Sequence, residues 1–244
     1  MSMLEVRQLD VRHGLLQAVR AIDLAVESGE TVAIVGANGA GKTTLMRALA
    51  GAHPATSGTV HFEGEDITRL AAHKRVARGI ALVPEGRRLF AALSVEENLL
   101  LARSARRAGT WTVEAVLETF PNLAGRRHAL AGTLSGGEQQ AVAIGRALMT
   151  NPLLLLLDEV SLGLSPLAVD RVYAALANLA GGATMILVEQ DLSRVLAIAD
   201  RILCMLEGRI VLQGPTSSLT RAQVTDAYFG LAAGGPRTTQ RAPA

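Results

Sequence analysis

Cysteine is nearly absent from this 244-residue sequence; Cys204 is the only one, so no disulfide can form within the chain. That usage suits a reducing compartment and points to the cytoplasm. Lysine is almost as rare: of 24 basic residues only Lys42 and Lys74 are lysines. Blocks of like charge are missing. The pairs Arg87-Arg88, Arg106-Arg107 and Arg126-Arg127 are scattered and the formal net charge is +2, which argues against a nucleic-acid partner despite a pI near 9.1. No uncharged apolar run approaches the roughly 20 residues that span a bilayer, so a membrane role is expected to be peripheral. Met1 leads into a strand-like segment without a signal-peptide pattern. No internal repeat is found. The length suits one large α/β domain, or one with a smaller lobe, and allows a full hydrophobic core.

What the sequence does contain is organised around Gly36-Ala37-Asn38-Gly39-Ala40-Gly41-Lys42-Thr43-Thr44. It follows the apolar run Thr31-Val32-Ala33-Ile34-Val35, which reads as a buried strand, and precedes good helix formers from Leu45 to Ala50. Strand, glycine loop and helix together are the context of a phosphate-binding P-loop. Glycines let backbone N–H groups turn around phosphate oxygens, and the helix points its positive end at the same anion. Lys42 supplies a compact charge to the β- and γ-phosphates, and the Thr43 hydroxyl is a candidate ligand of Mg²⁺. A plain glycine turn is the competing reading. Against it, a lysine in a chain that otherwise uses arginine marks a site wanting a point charge rather than a planar fork.

Before the P-loop, apolar and polar residues alternate through Leu4, Val6, Leu9 and Val11, then Ala18, Ile22, Leu24 and Val26. This predicts antiparallel strands with a break at His13-Gly14. Ser57 to Ile67 reads as another strand, with Gly58 and Gly64 as turn signals, Ala71 to Arg78 as a helix stopped by Gly79, and Ile80 to Val83 as a strand ended by Pro84. From about Arg87 to Met149 strand signals vanish. Helices are expected at Val95–Arg106 and Val113–Phe120, with Ser94 and Thr112 as N-caps, and at Gly136–Met149. Strands then return at Leu153–Leu157, Thr184–Val188 and Ile202–Leu206, separated by helices at Val169–Leu179 and Leu192–Ala199. The pattern is an α/β core, its sheet mostly parallel, with a helical lobe inserted. Cys204 falls in the third of these strands and is expected to be buried. Gly234 to Ala244, rich in Gly, Pro, Thr and Ala, reads as a disordered tail.

Two further stretches carry chemistry. Five leucines, Leu153 to Leu157, end in Asp158-Glu159. Burying paired carboxylates is costly without a partner, and beside a P-loop that partner is Mg²⁺. Asp158 is assigned to the metal and Glu159 to polarising the attacking water; the competing reading is a helix N-cap pair. The segment Leu134-Ser135-Gly136-Gly137-Glu138-Gln139-Gln140 opens a helix. Locally it is a capping box, Ser135 with Glu138, but its bare amides also make a second anion site. One nucleotide needs both sites only if two subunits sandwich it.

In order and spacing, the P-loop, the Leu-Ser-Gly-Gly-Glu-Gln segment, the leucine strand ending in Asp158-Glu159, and Ser161-Leu162-Gly163-Leu164-Ser165 resemble the nucleotide-binding subunit of ATP-binding cassette (ABC) transporters. The resemblance runs from about Leu4 to Gly230. It implies a P-loop NTPase of the ABC type over residues 1–232, with a mostly parallel core, N-terminal antiparallel strands, a helical subdomain inserted at about 87–149, and a disordered tail at 233–244. It further implies that two cassettes dimerise head to tail, the P-loop of one and Ser135-Gly136-Gly137 of the other clamping each ATP, and that hydrolysis drives membrane permease subunits. A second ATPase subunit and permeases are thus the expected partners, with an extracellular or periplasmic solute-binding protein engaged indirectly. The chain is expected on the inner face of the cell membrane, with ATP and Mg²⁺ as its ligands.

The finer similarity is to the shorter ATPase subunit of branched-chain amino-acid importers. It rests on Val83 to Phe90, Leu93 to Leu99, Ser161 to Leu164 after Asp158-Glu159, and Val188-Glu189-Gln190. Most ABC cassettes have Gln where Glu85 stands and His where Gln190 stands; this subgroup resembles the present chain at both. Glu85 is expected near the metal and the attacking water, and Gln190 near the γ-phosphate as a neutral donor. His13 lies where the family has an aromatic residue that stacks on adenine; a plain turn residue is the competing reading. Val160 differs from the usual Pro. Phe90, Leu93 and Val95 are candidate apolar contacts for a permease helix, against a reading as lobe core. The cargo could instead be urea, short amides or another small solute. A cassette acting on ribosomes or DNA would usually carry two cassettes, coiled-coil inserts or basic extensions, none of which appears.

Overall fold

A computed structural model describes residues 2–105, 107–180 and 182–231. The tail expected to be disordered, 233–244, lies outside the described residues.

The N-terminal strands β1 (Ser2–His13) and β2 (Leu16–Glu27) pair antiparallel, as the alternation predicts. The inward residues do not keep a strict period of two. Leu4 and Val6 are followed by Leu9 and Val11, and Val19 by Ile22, Leu24 and Val26. Bulges absorb the extra residue, and Gln8 and Ala21, both at φ 46°, carry the kink. The expected strand from Ser57 to Ile67 is instead a hairpin, β4 (Ser57–Phe62) and β5 (Glu65–Asp66). Glu63 and Gly64 both take positive φ, 51° and 80°, which turns the chain back on itself. This small sheet has the order β2-β1-β4-β5.

The large sheet contains β3 (Thr31–Val35), β6 (Ile80–Val83), β7 (Leu154–Asp158), β8 (Thr184–Val188), β9 (Arg201–Leu206) and β10 (Arg209–Pro215) in the order β10-β9-β3-β8-β7-β6. Its first five are parallel and β10 runs antiparallel to β9. The sequence reading missed β10, since an edge strand with little burial has no apolar alternation to show. The strands β3, β7 and β8 are buried throughout, as their unbroken apolar runs require. Alternate residues feed opposite cores. Val32, Ile34, Leu154, Leu156, Ile186 and Val188 pack with the small sheet and with α1 (Lys42–Leu49). Ala33, Val35, Leu155, Leu157, Met185 and Leu187 face the other helices, with Cys204 buried among them.

Between β6 and β7 no strand occurs among the described residues, as expected. The segment holds α3 (Val95–Leu100), α4 (Val113–Thr119) and α5 (Gly136–Leu148). Ser94 and Thr112 are N-caps, accepting from Glu97 and Ala115 N–H at 3.2 Å each. The helix expected over Val95–Arg106 is α-helical only to Leu100 and tightens into a 3₁₀ turn to Ala105; Arg106 lies outside the described residues. On the core side α2 (Ala72–Arg78) ends at Gly79, while α6 (Pro166–Leu179) and α7 (Leu192–Ile198) connect the later strands. A last helix, α8 (Arg221–Tyr228), was not expected from sequence.

One buried charge holds α1 in place. Arg75 of α2 is 2% exposed, and its Nη1 donates to the carbonyls of Ala48 and Leu49 at 2.8 Å each. These are carbonyls of the last helical turn, of which Ala48 O also accepts from Gly51 N–H at 3.1 Å, and a cation beside them offsets the negative end of the helix dipole. Nε and Nη2 donate to Leu70 and Thr68 carbonyls. Burial pushes the guanidinium pKa down to about 10, far above neutrality, so the charge persists. Arg75→Met keeps the apolar stem and removes the guanidinium donors, leaving Ala48 O with its Gly51 N–H alone. The expected loss is about 2–4 kcal/mol of unfolding free energy in urea; a loss below about 0.5 kcal/mol would show that Arg75 acts as an ordinary surface residue.

Candidate functional site

Parallel strands deliver their carboxyl ends to one edge of a sheet, and here four of them carry the predicted residues. The loop after β3 is the P-loop. Its first glycine, Gly36, lies so close to β9 that a Cβ would stand 2.2 Å from the Met205 carbonyl oxygen. Gly41, at φ 100°, approaches Ala18 O equally closely. Only glycine fits either position. Gly41 is also the N-cap of α1 and supplies no side chain to it, so the first amides of the helix face the loop uncapped. Ala40 is buried, while Asn38 and Gly39 form the exposed crest and Ala37 lies half-buried.

Lys42 points back under the loop. Its Nζ donates to Gly36 O at 2.7 Å and Ala37 O at 3.1 Å, and lies 3.6 Å from Glu159 Oε1. The lysine and glutamate side chains are 3% and 11% exposed. Thr43 Oγ1 donates to Asp158 Oδ1 at 3.1 Å, joining the start of α1 to the end of β7. Glu159 follows at φ 48°, a left-handed conformation that costs a non-glycine residue about 1–2 kcal/mol. Gln190, after β8, donates through Nε2 to Glu159 Oε2 at 3.1 Å and to Asn38 Oδ1 at 3.0 Å. Glu85 sits on the exposed turn after β6.

Asp158 is 1% exposed, and burial, together with the charges of Glu159 and Glu85, pushes its pKa up to about 6 against the Thr43 hydrogen bond. The edge is therefore short of positive charge. Among the described residues no three carboxylate, imidazole or thiolate groups converge into a protein cage. Thr43 and Asp158 offer an adjacent hydroxyl and carboxylate, a donor set that fits Mg²⁺, which is held through one or two carboxylates, substrate phosphates and water. Glu85 lends its charge to this edge without completing a cluster.

His13, at the end of β1, reaches the same loop: its Nε2 lies 3.1 Å from Thr44 Oγ1. Its ring leans on His53, with centroids 4.3 Å apart and planes tilted by 40°. His53 was not singled out from sequence, because it lies 40 residues away in a connecting turn.

The second anion site stands apart. Ser135 caps α5, and Glu138 closes the capping box, accepting from Ser135 N–H at 2.8 Å. A cavity of about 250 Å³ opens there, lined by Ser135, Gly136, Gly137, Gly163, Ser165 and Arg171 among others, none from the P-loop. One chain thus does not bring the P-loop and the Ser135-Gly136-Gly137 segment together. Instead, the Glu85 turn is tied to α5. Arg87 Nη1 donates to Gln139 Oε1 at 3.1 Å, and Arg146 Nη2 donates to the Arg87 and Arg88 carbonyls at 3.2 and 2.8 Å. In the sequence Arg87 is one of several scattered arginines, and nothing local marks it for this role.

Phe90 is 57% exposed and borders a groove of about 340 Å³ with Leu101, Ala143 and Ala147, rimmed by Arg88 and Arg146. Leu93 is half-buried, whereas Val95 is fully buried in the lobe core, which corrects its reading as a surface contact. At the first position of α3 its side chain faces the helices, not solvent. Buried Asn98 fixes the loop between them, accepting from Phe90 N–H and donating to the Phe90 and Ser94 carbonyls at 2.9–3.0 Å.

These features define a P-loop nucleotide-binding fold. A profile described as "ABC transporter" matches residues 19–161. The high-affinity branched-chain amino acid transport ATP-binding protein BraG of Pseudomonas aeruginosa is 43% identical over 232 residues, covering 93% of this chain and 100% of that protein. The probable branched-chain amino acid transport ATP-binding protein LivF of Archaeoglobus fulgidus is 34% identical over 221 residues, 89% of this chain and 94% of that protein. The solved structure of a nucleotide-free ATP-binding cassette from an ABC transporter superposes with a TM-score of 0.82 at 27% identity, covering 93% of this chain and 99% of that one. The chain belongs to the ABC transporter family, as an ABC ATPase domain.

The exposure of Phe90 has a direct consequence. Phe90→Ser is expected to change unfolding free energy by no more than about 0.5 kcal/mol, as at other surface positions. Val95→Ala should cost about 1–3 kcal/mol through lost burial and a cavity. Denaturant titration of both variants checks the assignment; equal losses would put Phe90 in the core.

Proposed function

We propose that this chain is the ATP-hydrolysing subunit of an importer for branched-chain, apolar amino acids, with residues 1–232 acting as its ATPase domain. The observation that carries the catalytic part is the convergence of Lys42, Thr43, Asp158, Glu159 and Gln190 at one sheet edge, with hydrogen bonds linking the P-loop to β7 and β8. Lys42 neutralises the β- and γ-phosphates, exchanging its present partners for phosphate oxygens. Thr43 and Asp158 would hold Mg²⁺, which would supply positive charge against the phosphates. Glu159 takes the proton of the attacking water, and Gln190 orients its carboxylate. His13 stacks against the base. Glu85, whose charge is felt at Asp158, would lie near the metal and the attacking water. The separation of Ser135-Gly136-Gly137 from the P-loop supports a head-to-tail pair, in which each chain lends this segment to its partner's nucleotide.

The cargo reading is supported by the printed functions of the BraG and LivF relatives and by end-to-end coverage of the former. No helix among the described residues is long and apolar enough to cross a membrane. As the ATP-binding subunit of such an importer, the chain works at the cytoplasmic face, docked to permease subunits through the groove beside Phe90. Cells lacking the chain should lose uptake of labelled leucine, isoleucine and valine and regain it on complementation; loss of urea or amide uptake instead would reassign the cargo.

Lys42→Ala is expected to abolish ATP binding, while Glu159→Gln binds ATP and loses turnover by about 10²–10⁴-fold, the usual cost of removing a general base. Wild-type hydrolysis by Glu159→Gln would remove the base assignment.

The pair is asymmetric if the companion cassette carries the family's usual Gln and His. Its site would then be the faster one, and this chain's Ser135 serves that site. Ser135→Arg should therefore lower the ATPase rate of the assembled transporter more than Gln190→Ala, which touches only the slower site. Equal losses, or a larger loss from Gln190→Ala, would argue for two equivalent sites.

A further inference from the structure

Glu189 has no part in the site as read so far, yet it is 3% exposed and lies between Val188, the last residue of β8, and Gln190. Both of its carboxylate oxygens are engaged by one residue. Ser161 Oγ donates to Oε2 at 2.8 Å, and Ser161 N–H donates to Oε1 at 3.2 Å. Ser161 is two residues beyond Glu159, in a loop of successive turns: Leu162 N–H donates to Glu159 O and Leu164 N–H to Ser161 O, each at 3.2 Å. Glu189 also anchors its own strand end, donating from its N–H to Ile34 O of β3 at 3.3 Å.

Glu159 is thereby held from two directions. On its chain side, the turn that gives it φ 48° is fixed at Ser161. On its side-chain side, Gln190 meets its carboxylate, and Gln190 is the residue next to Glu189. A left-handed non-glycine residue keeps its conformation only when its surroundings enforce it. Val160, which separates Glu159 from Ser161, does not lock φ as a proline would. Burial raises the Glu189 pKa, opposed chiefly by the two Ser161 bonds. The buried hydroxyl of Tyr173 lies nearby without a well-formed hydrogen bond. The Ser161 hydroxyl and backbone N–H are therefore the well-formed donors that hold the carboxylate.

We infer that Glu189 is a positioning residue for hydrolysis, clamping Ser161 so that the Glu159 carboxylate stays aimed at the attacking water. This rests on the reading of Glu159 as the base, and the experiment separates the two. The ATPase rate of the full-length chain is measured for Glu189→Ala, Glu189→Gln and Ser161→Ala, each alone, and for Glu189→Ala combined with Glu159→Gln. Displacing a reacting group by about 1 Å costs up to about 10²-fold, so Glu189→Ala should lower kcat by about ten- to a hundredfold with little change in the KM for ATP. Glu189→Gln should recover most of the rate. Its carbonyl accepts from Ser161 N–H, and its amide donates to a hydroxyl turned to accept. Ser161→Ala, which keeps the N–H bond, should fall between and reports on the clamp even where Glu189→Ala folds poorly.

In the Glu159→Gln background, Glu189→Ala should cost nothing further, since a residue acting through another shows full non-additivity. An equal fold-loss in both backgrounds, a parallel loss of ATP affinity, or a wild-type rate for Glu189→Ala would overturn the clamp. A wild-type rate for Glu159→Gln would overturn the base assignment instead.

Discussion

A single buried ammonium sets the terms for the carboxyl edge of the large sheet. Lys42 Nζ is enclosed by two P-loop carbonyls and the Glu159 carboxylate, in a place where Asp158, Glu159 and Glu85 outweigh the more weakly felt Arg47. Charge at that depth persists only when paired or hydrogen-bonded. Lys42 meets this condition for itself and partly for Glu159, while Asp158 relies on the Thr43 hydroxyl. The geometry of the loop, the aim of the helix and the depth of both acids follow from it. The edge remains rich in negative charge, and that makes it receptive to a cation together with a polyphosphate.

The scaffold answers the same need from behind. The helix that offers its bare N-terminus to the loop has its C-terminal carbonyls closed by Arg75, whose own helix leads into β6 and the Glu85 turn. Beyond that turn, Arg87 and Arg146 bind it to the helix capped by Ser135. Arginine does the long-range tying: Arg75 spreads three nitrogens over four carbonyls and Arg146 sets one nitrogen on two, while Lys42 stands as a point charge in the P-loop. The Glu85 turn is thus joined by hydrogen bonds to the helix that opens at Ser135-Gly136-Gly137.

Much of this was legible in the order of the residues. The P-loop, the acids after the leucine strand and the capping box at Ser135 are local patterns, and strand, loop and helix each follow from their own few residues. The same holds for N-caps Ser94 and Thr112 and for the stop at Gly79. Failures came where the signal is not local. The edge strand β10 has no buried face to betray it, and the turn at Glu63-Gly64 divides what looks like one strand. Val95 carries the same apolar character as exposed Phe90, and only packing tells them apart.

The sequence by itself determined the phosphate loop, the mostly parallel core and the family, because these rest on short-range periodicity and on contiguous motifs. Only the tertiary structure decided which groups meet. Residues 42 and 159, 43 and 158, 87 and 139, 161 and 189 are far apart in the chain or belong to different strands. Strand order, which no local pattern encodes, brings β3 beside β8 and β8 beside β7. Glu189 shows the difference most clearly. In sequence it is one more acid after an apolar run, whereas in the fold its burial against Ser161 gives both oxygens a fixed task, since a buried carboxylate must find donors where the fold places them.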